Sequence, residues 1–158
     1  MVLPMYPVLI VLHSWIRWAV IIIGLVAVFR AIAARSSGRA WNATDNTAGR
    51  LYTIVLDIQV LIGLLLYTFA SPLVASARQT MAVSMTNDVA RFWLVEHPFA
   101  MIVALALAHV GRARIRRATS DRARFSRIAV FHGLSVLLVI IGTPWPGMPY
   151  GRGLLRFR

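Results

Sequence analysis

The chain has no cysteine in its 158 residues. That excludes disulfides, thiolate metal sites and covalent c-type haem attachment through C-x-x-C-H. Negative charge is also scarce: five acidic residues stand against 17 basic ones, for a formal net charge of +12. Neither G-x-S-x-G nor H-E-x-x-H occurs, so the signatures of serine hydrolases and zinc peptidases are missing. The opening MVLPMYPVLIVL lacks a basic n-region, and its apolar run continues past signal-peptide length, so it reads as retained.

What is abundant is apolar sequence. The chain is 59% hydrophobic and 14% charged, whereas soluble domains run at about 45–50% and about 25%. Both values point to a small integral membrane protein. Four apolar runs predict spans at about 7–34, 51–73, 88–111 and 125–143, followed by a tail, 144–158, rich in proline, glycine and aromatics. The expected fold is all-α, a single transmembrane domain built as an up-down-up-down four-helix bundle. Asp45, Asn46 and Thr47 offer N-caps for the second span, and Asn87 or Asp88 for the third. The connection between those two spans has room for a short surface helix but carries no motif.

Arginines cluster beside the apolar runs, as the positive-inside rule produces, and are not spread over a polar face as in a nucleic-acid binder. Lipid, not nucleic acid, is therefore the expected partner. The first and third connections hold Arg35, Arg39, Arg50, Arg112, Arg114, Arg116, Arg117, Arg122 and Arg124, and the second only Arg78 and Arg91. This predicts a multi-pass protein of the bacterial cytoplasmic membrane with both termini on the periplasmic side, Arg152, Arg156 and Arg158 of the tail weighing less strongly the other way.

Ionisable groups within such spans are costly and usually functional. At 1.5 Å rise per residue, His13 is expected about 10 Å outside the midplane, with Arg17, Glu96 and His97 roughly 4–6 Å outside it. His13 and Arg17 are i and i+4 and share a helical face. Arg17 and Glu96 are expected to neutralise each other, leaving His13 and His97 to face across the core from diagonally opposed spans. Two such imidazoles are what a six-coordinate haem b requires, with Arg17 or Glu96 bonding a ring nitrogen or a propionate. The alternative for both histidines is that they are satisfied polar groups of the core or interface.

Asp57, Gln59 and His132 are expected about 4–8 Å to the cytoplasmic side, and His109 at about 13 Å. His109 and His132 suggest a second haem, but His97 and His109 are twelve residues apart, so their directions differ by about 120° on a straight helix. One haem b is the preferred expectation. Asp57 with His132 is then a buried hydrogen-bonded pair or a proton-handling site. Pro98 removes a helical bond to the Leu94 carbonyl and is expected to kink the third span.

LHSWIRW from Leu12, DIQVLIGLLLY from Asp57, RFWLVEHPFAMIVALALAHVGR from Arg91 and the tail's TPWPGMPYGRG resemble a family of small four-span bacterial membrane proteins loosely labelled cytochrome b. More distantly, the arrangement is similar to bacterial b-type cytochromes. The resemblance implies His13 and His97 as first candidates for haem ligands, with Arg17 and Glu96 beside them, and quinone or another membrane redox subunit as partner. Two other readings stand beside it: a non-redox accessory or scaffold subunit of a larger membrane complex, and a proton or metal transporter using Asp57, Glu96 and the histidines.

Overall fold

In a computed structural model, residues 5–156 are described. The helices are α1 (Tyr6–Ser37), α2 (Ala43–Ala70), α3 (Pro72–Gln79), α4 (Met81–Thr86), α5 (Asp88–Arg116) and α6 (Asp121–Ile141). No strand occurs among the described residues. Four of these helices, α1, α2, α5 and α6, are long and apolar enough to cross a membrane, as expected. Each packs on its two neighbours in the order α1, α2, α5, α6 and back to α1, so α1 and α5 are diagonal partners.

Local chemistry sets the ends. α1 stops at Gly38, whose φ of 68° suits glycine and lets its N–H bond back to the Ala34 carbonyl. The cap of α2 is Asn42, earlier than expected. Its side chain accepts from the Asp45 N–H at 3.1 Å, and the Asp45 carboxylate accepts from the Asn42 N–H at 3.2 Å, a reciprocal capping box. The same buried carboxylate takes Arg30 at 3.0 Å and Arg39 at 2.8 Å. Its bond to Arg39 raises that side chain's pKa above the ordinary value. Asn87 caps α5 as expected, accepting from the Ala90 N–H.

Three of the long helices widen for one turn to i→i+5 bonding, at Leu66–Ala70, Phe92–Glu96 and Ile128–His132. Such π-turns insert an extra residue and rotate the remainder of the helix. The second ends immediately before His97, whose N–H bonds the Phe92 carbonyl. Pro98 leaves the Leu94 carbonyl without a helical donor, and the Tyr67 hydroxyl supplies one at 3.0 Å. The connection between α2 and α5 folds as two short helices, not one, with Val74 and Ala77 packed on Leu94.

The core is built from Val20, Tyr52, Leu56, Ala104, Val136 and their neighbours. Outside it, large apolar side chains lie exposed on every long helix, among them Phe29, Leu61, Phe99 and Ile141, a surface that suits hydrocarbon. Tyr52 is fully buried, and its hydroxyl donates to Ser135 at 2.6 Å while Ser135 donates to the Ala104 carbonyl at 2.7 Å. Gly24 makes this packing feasible: a Cβ there would stand 2.5 Å from Val136 and 2.7 Å from the Tyr52 ring.

Two glycines therefore give opposite expectations. Gly24→Ala should lower unfolding free energy in detergent by about 1–3 kcal/mol through overpacking. Gly133→Ala, whose Cβ would meet only Val28 at 3.9 Å, should be neutral or raise stability by up to about 1 kcal/mol. Thermal unfolding of both variants checks the pair.

Candidate cofactor site

α1 brings His13 and Arg17 to its inner face, with Arg17 buried and His13 partly so. α5 brings His97 from the diagonal position. The two imidazoles meet across the core with ring centres 6.3 Å apart and planes at 75°. Metal–imidazole bonds of about 2.0–2.1 Å, with each nitrogen about 1.1 Å from its ring centre, put two trans imidazoles on one ion roughly 6 Å centre to centre. The observed separation is close to that value, and it is also that of an edge-to-face ring contact.

His97 is oriented by a second bond. Its Nδ1 lies 2.7 Å from the Gly142 carbonyl, a group left without a helical donor just past the end of α6. Since a carbonyl can only accept, Nδ1 carries the proton and Nε2 keeps its lone pair, the tautomer a metal ligand needs. His13 is held by packing. A Cβ on Gly63 would stand 3.1 Å from its Cε1, so glycine on α2 leaves room for the ring.

Two cavities flank the pair and share His13, Gln59, Trp93, His97 and Met101. One, about 90 Å³, runs between α2 and α5 and is lined mainly by apolar side chains such as Val60, Leu64 and Ile102. The other, about 50 Å³, lies under the tail and gathers Arg17, Arg152 and Arg156. None of these three guanidinium groups pairs with a carboxylate among the described residues.

The tail forms the roof. The carbonyl of Leu154 accepts from Arg17 at 2.5 Å and from the Trp18 indole at 3.0 Å, and the Arg156 carbonyl accepts from Trp15 at 2.9 Å. Tyr150 stacks on Phe92 with ring centres 3.7 Å apart, and Arg152 lies over Trp93 at 5.3 Å.

The surroundings of the pair fit a cofactor that brings its own polar atoms and charge. His13 Nδ1, Ser14 Oγ, Arg17 Nε, Gln59 Oε1 and Trp93 Nε1 are all buried without a hydrogen-bond partner, whereas buried polar atoms ordinarily have one. No three His, Asp or Glu side chains among the described residues converge as they would on a bare ion. Two opposed imidazoles, an apolar slot and a cationic end suit a macrocycle supplying four nitrogens and two carboxylates.

Several expected partnerships are not formed. Glu96 does not reach Arg17: it is turned outward by the π-turn before His97 and pairs with Arg91 at 2.7 Å. Asp57 does not reach His132. It bonds His109 Nε2 at 2.7 Å on an exposed face. His132 is fully buried, with Nε2 3.3 Å from the Gly49 carbonyl and its ring against Tyr52. His109 and His132 thus serve different partners and make no second facing pair. Conversely, Arg152, Arg156, Gln59, Trp93 and Gly63 join the site without having been expected there. Arginine in the tail was the one available signal, and it counts only as topology until the tail is folded back.

No family model, no curated protein and no solved structure matches this chain. Function is therefore inferred from the geometry.

Tyr67→Phe should leave the Leu94 carbonyl beside Pro98 unsatisfied and cost about 1–3 kcal/mol. Thermal unfolding reads this, and an unchanged midpoint would mean that the hydroxyl does not support the turn carrying His97.

Proposed function

We propose that this chain is a haem b electron-transfer protein, or the redox subunit of an oxidoreductase, embedded in a bacterial cytoplasmic membrane with both termini periplasmic. The observation that carries the reading is the His13–His97 pair at 6.3 Å, with an apolar slot on one side and three uncompensated arginines on the other. Haem b, when bound, supplies reversible one-electron chemistry at its iron.

The chain's own residues do the rest. His13 and His97 would hold the iron, and the Gly142 carbonyl fixes the tautomer of His97. Arg17, Arg152 and Arg156 would hold the propionates, and their positive charge favours the reduced, less positive iron. Trp93 and Met101 line both cavities, and the tail covers the second. The arginine-rich connections lie at the opposite end of the bundle from the histidine pair, so the positive-inside rule supports a site near the periplasmic face. Quinone or another membrane redox subunit is the exchange partner in this reading.

Purified protein from haem-replete cells should show the Soret and alpha bands of low-spin haem, shifting on dithionite reduction. His13→Ala and His97→Ala should each abolish them. Arg152→Gln should keep the bands but lower the midpoint potential by roughly 20–60 mV, equivalent to about 0.5–1.4 kcal/mol for one electron. A colourless wild-type preparation would sink the redox reading and leave the scaffold one.

A further inference from the structure

The two histidines of the pair are not equally provided for. His97 has an acceptor for its Nδ1 in the Gly142 carbonyl. His13 has none: its Nδ1 is buried without a hydrogen-bond partner. A neutral histidine that gives one nitrogen to a metal carries its single proton on the other. That N–H almost always meets an acceptor, which fixes the ring's orientation and raises its basicity.

α2 seats His13 with two residues one turn apart. Gly63 clears room at the Cε1 edge of the ring, where a Cβ would stand 3.1 Å away. Gln59, buried on the same helical face, donates its Nε2 to the His13 backbone carbonyl at 3.0 Å. Because a carbonyl only accepts, that bond fixes which end of the amide is nitrogen, and the oxygen is the free end. Gln59 Oε1 is itself buried and unpartnered. An amide anchored on residue 13 therefore ends in a spare acceptor, and residue 13 has a spare N–H once its Nε2 lone pair is committed. The terminal torsion of a glutamine side chain is broad, so a rotation about it brings Oε1 toward Nδ1 at little cost.

The neighbouring orphans do not compete. Arg17 Nε and Trp93 Nε1 are donors and cannot serve an N–H. Ser14 Oγ can accept, but it follows His13 on the helix and so points about 100° away from it.

We propose that Gln59 is the positioning residue for His13, its Oε1 accepting from Nδ1–H as the Gly142 carbonyl does from His97. The inference rests on the haem reading and deepens it. The bond keeps the Nε2 lone pair aimed at the core, and by adding electron density to the ring it favours the oxidised iron, which lowers the midpoint potential.

Haem retention and midpoint potential are measured on protein purified from haem-replete cells, with thermal unfolding read on the same samples. Gln59→Leu removes both ends of the amide. It should stay pigmented, lose haem about ten- to a hundred-fold more readily than wild type, and show a higher midpoint potential. Gln59→Glu keeps an acceptor and strengthens it, so it should hold haem nearly as well as wild type and show a lower potential. Opposite signs separate positioning from helix locking, since loss of the bond to the His13 carbonyl alone would move both variants the same way.

An unchanged potential in Gln59→Leu, a shift of the same sign in both variants, or a Ser14→Ala variant that reproduces the Gln59→Leu shift would each overturn the role of Gln59 and leave the haem reading standing. If Gln59→Leu does not fold, the Gln59→Glu potential decides alone, and a value at or above wild type overturns the role. A colourless wild type removes both, because Gln59 then has no liganded imidazole to orient.

Discussion

A polar side chain inside an apolar bundle is tolerated only where something answers it, and most of this architecture follows from how each such group is answered. The Tyr52 hydroxyl is passed through Ser135 to the Ala104 carbonyl. The carbonyl exposed by Pro98 is taken by Tyr67. The end of α6 is closed by His97 through Gly142. Beside these pairings, orphaned atoms gather around His13, Arg17, Gln59 and Trp93. Five of the eight such atoms among the described residues lie at one point, where two imidazoles and three guanidinium groups meet, and the other three, on Arg30, Arg112 and His132, lie outside it.

The same constraint explains the shape of the site. A π-turn and a proline in succession rotate α5 so that Glu96 faces out and His97 faces in. Gly63 withdraws its side chain where the His13 ring needs room. The tail adds no helix, yet its backbone carbonyls hold Arg17 and the first helix's tryptophans, and its arginines add positive charge to the cavity beneath. Each device acts on the position of an imidazole or on the charge around it.

Residue order alone reaches part of this arrangement. Hydropathy and arginine placement are local sums over twenty or so residues, so the four long apolar helices were legible. The facing of His13 and His97 followed from helical periodicity together with the diagonal placement of odd-numbered spans. Pairings between charges were not legible. Glu96 goes to Arg91 and not to Arg17 because one extra residue in a turn shifts phase by about a right angle, and nothing in the composition of FWLVE announces that turn. Asp57 finds His109 and not His132 because both lie on the outer surface where α2 meets α5, a matter of how two helices are rotated against each other.

By itself, then, the chain's chemistry determined an all-helical protein with four long apolar helices, basic connections between them and two inward histidines. Those properties depend on near neighbours along the helix and on an apolar surface that must face lipid or core. Only tertiary structure decided which cation meets which anion, which carbonyl orients His97, and that residues far along the chain fold back as a roof over the first helix. Those outcomes depend on helix rotation, on a local change of pitch and on contacts between segments more than 130 residues apart, none of which periodicity records.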